Sequence, residues 1–239
     1  TQRTQVDGML INLDKSIAST RSTLSPLVST TLADQVADCI VDAIIAREFV
    51  SGARLIETEL ASALHVSRVP VREAIRILES QGLIVAAPHR GMQVAQFDAT
   101  WAQQLHETRV AMEQVCARHV SVRLRKDQTA RDRMNVCLEN IVAARASGDW
   151  NIINVVDVTF HTALFELAES PLLVTLWTAI ARHVRIMFSI ETYRDQDFER
   201  IVAEHRNYLS VLLKGSNAEI VSEIRSHVAG RKLFSETKN

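Results

Sequence analysis

The chain has 239 residues, with 27 basic and 28 acidic side chains and a formal net charge of -1 at neutral pH. Hydrophobic residues make up 47% and charged residues 23%, which excludes wholesale disorder, and the near-zero charge excludes a uniformly basic nucleic-acid coat but not a local basic patch. Only 7 Gly and 4 Pro argue against a turn-rich β fold; no uncharged apolar run is long enough to cross a membrane, and three cysteines without metal-type spacing read as reduced, buried thiols of a cytoplasmic protein.

Residues 1–28 are rich in Thr, Ser and Gln, lack sustained periodicity and read as a mobile arm. Leu32, Val36, Cys39, Ile40, Ala43 and Ile44 then recur at helical spacing, which predicts a first helix running to about Phe49, where Ser51-Gly52 breaks it. A short second helix is expected over about Glu57 to Leu64, followed by a turn at His65-Val66. The third spans Val69 to Ser80, with Ser67 as its cap, Pro70 in its tolerant first turn, Val71, Ile75 and Leu78 inward, and Gly82 marking its end. Leu83 to Val85 and Met92 to Phe97 flank Ala87-Pro88-His89-Arg90-Gly91 as strand, turn, strand. Three helices closed by a hairpin outline a winged helix-turn-helix over residues 29–97. From Asp98 to the end at 239 the helical period never leaves. Six helices are expected at about 98–124, 128–147, 149–168, 171–190, 196–214 and 216–231, forming an antiparallel bundle, so the fold class is mainly α.

The stretch from Ser67 to Arg76 has the chemistry of a helix that enters the major groove. Arg68 stands at the helix mouth and Arg72 one turn on, so both project from the face opposite Val71, Ile75 and Leu78. An Arg fork can grip a guanine edge or hold a phosphate, and Ser67 offers a hydroxyl and helix-start amides to a phosphate. Arg90, beside Gly91 at the hairpin tip, can reach a neighbouring groove or the backbone. Residues 29–97 carry six Arg, no Lys and eight acids, yet 67–91 carries four Arg against Glu73 and Glu79. The acids crowd onto the first two helices, which are expected to face away from DNA.

With these residues in view the N-terminal part resembles the GntR-type bacterial transcription regulators. The resemblance rests on Leu55-Ile-Glu-Thr-Glu-Leu-Ala, on Val66-Ser-Arg-Val-Pro-Val-Arg-Glu-Ala-Ile-Arg-Ile-Leu-Glu-Ser-Gln-Gly-Leu-Ile and on Pro88-His-Arg-Gly-Met-Gln-Val, covering about residues 31–97. It implies DNA contacts by Ser67, Arg68, Arg72 and the wing tip Arg90-Gly91. Thr58 stands where some relatives carry an Arg that reads DNA from the second helix.

In the second half, Asp157 and His161 are four residues apart and share one helix face. His205 and His227 sit on two further helices. A carboxylate and three imidazoles from three helices can converge in a bundle core on a divalent metal ion such as Zn²⁺, Ni²⁺, Mn²⁺ or Fe²⁺; an Asp/His pair at this spacing is also met on solvated helix surfaces. The pattern Asp157-x-x-x-His161, Glu204-His205-Arg-Asn and Ser226-His227 resembles the all-helical FCD domain of the FadR subfamily over about residues 101–231, and its six helices resemble the vanillate-regulator branch. That resemblance implies a bound Zn²⁺ or Ni²⁺ that helps hold a small carboxylic acid effector. It also implies that Arg109, of Arg109-x-x-x-Glu113, faces the pocket; from spacing alone Arg109 and Glu113 can equally form a surface ion pair. Arg185 is the second candidate for effector contact, either lining the pocket with Arg182 and His183 or solvated.

Taken together these features predict a cytoplasmic homodimeric repressor, not an enzyme, that binds double-stranded DNA at a palindromic operator and is controlled by a small acid at the metal. The alternative is a metal-dependent enzyme fused to a DNA-binding head.

Overall fold

The computed structural model of the protein describes residues 31–88, 90–195 and 197–229. The arm expected over 1–28 and the chain beyond 229 lie outside the described residues.

The chain begins with α1 (Leu32–Ile45), α2 (Glu57–Ala63) and α3 (Arg68–Ser80). Helix α1 buries Val36, Ala37, Ile40, Val41 and Ile44 on one stripe. It stops four residues short of the expected end, because Arg47 adopts φ 63 and Phe49 N–H turns back to the Ala43 carbonyl. A second left-handed residue, His65 at φ 54, makes the tight turn between α2 and α3. Helix α3 sends Val71, Ala74, Ile75 and Leu78 inward and ends at Gly82, whose φ of 76 suits the residue without a Cβ. Strands β1 (Ile84–Ala87) and β2 (Gly91–Val94) pair antiparallel with Ile84 opposite Val94 and Ala87 opposite Gly91. Residues 52–55 strap the other edge of β2 through Leu55 N–H to the Met92 carbonyl and Gly52 N–H to the Val94 carbonyl, each 2.9 Å.

Six helices follow among the described residues: α4 (Ala99–Lys126), α5 (Gln128–Arg145), α6 (Trp150–Leu167), α7 (Pro171–Asp195), α8 (Phe198–Lys214) and α9 (Asn217–Ala229). Helix α4 packs against each of the other five. Its middle is therefore walled off from water, and Arg109 and Glu113 in that stretch must find internal partners. Asp98, Asp127, Asp149 and Asp197 each accept a backbone N–H at the start of the following helix, which sets where α4, α5, α6 and α8 begin.

Helix α7 joins two hydrophobic cores. Trp177, Val184, Met187 and Phe188 belong to the bundle, whereas Ile186 is buried among Ile40, Val41, Leu78, Leu83, Ile84 and Val94 of the winged helix. Pro171–Ile190 is long and apolar enough by length and composition to span a membrane. Arg182 and Arg185 interrupt it, so no uncharged run of that length is present, and Trp177, Val184, Met187 and Phe188 place it in the bundle core. Cys116 and Cys137 are buried free thiols as expected, but Cys39 is exposed.

Candidate nucleic-acid interface and metal centre

At the start of α3, Ser67 takes the extended cap conformation, yet its side chain makes no capping hydrogen bond. Arg68 and Arg72 are exposed, as a groove-entering helix requires, and Pro70 is buried beside Val71. Arg90 is exposed at the wing tip, and Gly91 begins β2 with φ 74. The acids of the first two helices do not all face away from this surface. Glu57, at the start of α2, accepts from Arg72 Nη2 at 3.1 Å and Nε at 3.3 Å, and from Arg68 Nη2 at 3.4 Å.

Three acids of α1 hold the two halves together. Asp34, Asp38 and Asp42 lie at successive turns of α1. Arg182 Nε donates to Asp38 at 2.9 Å, its Nη2 lies 3.6 Å from Asp34, and its Nη1 donates to the Gln81 side chain at 3.3 Å. Arg185 Nη2 donates to Asp42 at 2.5 Å. Arg185, the second candidate for effector contact, lines a cavity between α1 and α6 while it pairs with Asp42. His183 completes the seam: Nε2 donates to the Gln81 carbonyl at 2.7 Å, which leaves Nδ1 to accept from Trp101 Nε1 at 3.1 Å. Burial holds the His183 imidazole below its ordinary range, consistent with this neutral tautomer.

Inside the bundle the four sequence-predicted ligands meet. Asp157 and His161 come from α6, His205 from α8 and His227 from α9. The ligand nitrogens of the three histidines lie within 4.8 Å of one another. His161 and His205 are fully buried, Asp157 is 3% exposed and His227 is half-buried. His205 Nδ1 donates to the Ile201 carbonyl at 2.8 Å, so neutral His205 carries a bare lone pair on Nε2. That lone pair faces Asp157 Oδ1 at 3.2 Å without a hydrogen bond, and Asp157 Oδ2 also lacks a partner. The Nε2 atoms of His161 and His227 face each other at 3.2 Å. A bare imidazole lone pair set against a carboxylate in a dry interior favours a cation between them, and two ligands on one ion with bonds of about 2.1 Å stand roughly 3.0–3.4 Å apart, the separation of both pairs here. The residues fit a divalent metal.

The surrounding groups aim these ligands. His161 Nδ1 lies 3.2 Å from Glu113 Oε1, and the same oxygen accepts from Arg109 Nε at 2.7 Å. Glu113 Oε2 accepts from Tyr208 O–H at 2.7 Å. Burial pushes the Glu113 carboxyl up, but His161 and Arg109 outweigh it and hold it well below the usual range. Burial also raises the Asp157 carboxyl, but the facing His205 ring, with His161 and Arg109 near it, outweighs this and holds the carboxyl low. Burial lowers the imidazoles of His161 and His227, keeping them neutral and able to ligate. Arg109 is thus paired with Glu113 as its spacing allows, but inside the protein, with its guanidinium carbon 6.0 Å from the Trp177 ring centre. Tyr208 escaped the sequence reading; its position three residues after His205, on the same face of α8, was the available signal.

Residues 32–94 match the family described as bacterial regulatory proteins, gntR family, and residues 104–230 match the FCD domain. The chain belongs to the gntR family of bacterial regulators, in its FCD-bearing group. It is a DNA-binding transcriptional regulator. Among its relatives, the "Probable D-xylose utilization operon transcriptional repressor" of Paenarthrobacter nicotinovorans is 27% identical, covering 87% of this chain and 90% of that one. The gluconate operon transcriptional repressor of Bacillus licheniformis is 26% identical over 68% of each. A GntR regulator from Rhodococcus sp. RHA1 shares the fold with a TM-score of 0.66 at 24% identity, covering 84% of this chain and 95% of its own. Escherichia coli McbR/YncC does so with a TM-score of 0.65 at 21% identity, over 84% and 93%. The family is one of regulators and the two relatives carry the names of transcriptional repressors, so the chain is a regulator and not an enzyme.

Proposed function

We propose that this regulator is a repressor whose grip on a palindromic operator is controlled by a small carboxylic acid bound at a metal ion in the FCD domain. The convergence of Asp157, His161, His205 and His227, with the His205 lone pair facing the Asp157 carboxylate, carries this reading. Asp157 and the three imidazoles would hold the ion, zinc or nickel by donor chemistry, and the ion would supply a Lewis-acid seat for a carboxylate oxygen. Arg109 stands beside that seat as a second anion partner, oriented by Glu113 and backed by Trp177. Ser67, Arg68, Arg72, Arg90 and Gly91 form the DNA surface, and a cytoplasmic homodimer sets two such surfaces on two half-sites. Residues 1–28, 29–97 and 98–239 divide into arm, reading head and effector domain.

An acid turns off such a repressor only by favouring one arrangement of head and bundle; moving the balance from 1:99 to 99:1 takes about 5.5 kcal/mol of differential affinity. Support for coupling comes from the Arg182, His183 and Arg185 contacts, which fasten the bundle to α1 and to the residue after α3. The test is a thermal-shift screen of small carboxylic acids with and without chelator, followed by gel shifts on a duplex selected by the protein from a random pool. An acid that raises the melting temperature only in the metal-loaded protein, and weakens the gel shift, is the expected result. Metal-free protein as purified, with no acid raising its melting temperature, would refute the proposal.

A further inference from the structure

The two arginines assigned to the DNA surface share one carboxylate, and it comes from a different helix. Glu57 opens α2, 11 residues before Arg68 and 15 before Arg72, so local helix geometry does not force the contact. Arg72 grips it with both Nε and Nη2, and Arg68 adds Nη2. All three side chains remain open to solvent, at 59%, 49% and 30% exposure for Arg68, Arg72 and Glu57. Glu73 and Glu79 lie on α3 itself, and neither takes part in this cluster.

A carboxylate between two DNA-facing arginines has an evident cost. It cancels positive charge where phosphates must approach, and it repels them. Sequence-independent affinity comes almost wholly from phosphate contacts, whereas discrimination comes from geometry at base edges. A group that weakens the first and fixes the second raises selectivity. With Nε held by Glu57, the outer edge of the Arg72 guanidinium is presented in one orientation, suited to a paired contact with a guanine edge. The bond from Arg72, with a further contribution from Arg68, holds the Glu57 carboxyl below its ordinary range, so it stays charged at neutral pH.

From this geometry we infer that Glu57 is a specificity-determining residue: it braces Arg72 for base readout and suppresses binding to unrelated DNA by neutralising Arg68 and Arg72. The inference rests on the assignment of those two arginines to the DNA surface. The test compares wild type, Glu57→Gln, Glu59→Gln and the double substitution Arg68→Ala/Arg72→Ala on two duplexes across a salt series. One duplex is the selected operator and the other an unrelated sequence of equal length. Gln keeps the shape of Glu57 and removes its charge; Glu59 is an exposed acid of the same helix outside the cluster.

Removing the carboxylate frees about one additional phosphate-binding charge. Affinity of Glu57→Gln for the unrelated duplex should therefore rise about eightfold near ~0.1 M salt, with a salt slope steeper by about 0.9. Operator affinity should rise less, so that the operator-to-unrelated ratio falls severalfold, while Glu59→Gln stays near wild type. An unchanged ratio in Glu57→Gln, or an equal change in Glu59→Gln, overturns the inference. If the double Arg variant binds both duplexes like wild type, the DNA-surface assignment itself has failed, and that outcome is separately visible.

Discussion

Removing His205 should abolish much of the stabilisation that a divalent metal gives, and the expected size can be worked out. A metal held only by the folded state at about a thousand times its dissociation constant adds about 4.1 kcal/mol. For a chain of this length each kcal/mol is worth about 2–4 °C, so zinc or nickel should raise the melting temperature of chelator-treated wild type by about 8–16 °C. Loss even of partners outside the ligand set commonly costs 10–100-fold in metal affinity. His205→Ala takes away a ligand, so its metal increment should shrink by at least about 1.4–2.7 kcal/mol. Because His205 is fully buried, the substitution also opens a cavity and lowers the starting stability. The measured quantity is therefore the increment on adding metal, by scanning calorimetry on each variant, in which the cavity cost cancels. His119, exposed on the same central helix as Arg109, is the control and should keep the full increment on substitution by Ala. An equal increment in wild type and His205→Ala would refute the assignment of the four ligands.

Three other outcomes follow from contacts described above. In chelator-treated protein, burial keeps His161 and His227 below their ordinary value of 6.5, so the unfolded chain takes up protons there first. Stability is then present above 6.5 and falls with acidification by about 1.4 kcal/mol per pH unit for each imidazole that stays neutral, until its folded-state value is reached; urea midpoints that stay flat below 6.5 would contradict this. Arg72→Ala should weaken operator binding about tenfold to a hundredfold at fixed salt, and an unchanged gel shift would remove Arg72 from the DNA surface. Across the seam, Arg182 is 11% exposed and Asp38 46%, between a surface pair and a buried one. A double-mutant cycle of Arg182→Ala and Asp38→Ala should give a coupling of about 1–2 kcal/mol in urea unfolding, and a coupling near zero would show the contact to be energetically idle.

Sequence periodicity is a local property, and it recovered what is local. The apolar stripes of α1 and α3, the turn at His65, the hairpin and the six bundle helices all follow from spacing within a few turns. The same holds for Asp157 and His161, one turn apart on α6. Helix ends were less legible: α1 stops at Ile45 because Arg47 takes a left-handed conformation that its side chain does not announce. Contacts between distant segments were not legible at all. Nothing near Glu57 marks it as the partner of Arg72, and nothing near Arg185 separates Asp42 from a ligand as its partner. The burial of the Arg109–Glu113 pair depends on five other helices closing around α4. The regular spacing of Asp34, Asp38 and Asp42 was a visible clue to a charged docking face, because a solvated helix has no need of acids along a single edge.

Helix α7 has a consequence for anyone who would treat the reading head as an exchangeable cartridge. Ile186 plugs the head's own hydrophobic interior while Trp177, nine residues and about 13 Å earlier on the same rod, is walled into the bundle. Transplanting residues 31–97 onto a foreign sensor would leave that plug behind and strand three aspartates without their counter-charges. A working chimera has to carry the outer face of α7 along with the head, so the natural cut between sensing and reading lies across a helix surface and not at the linker in the chain.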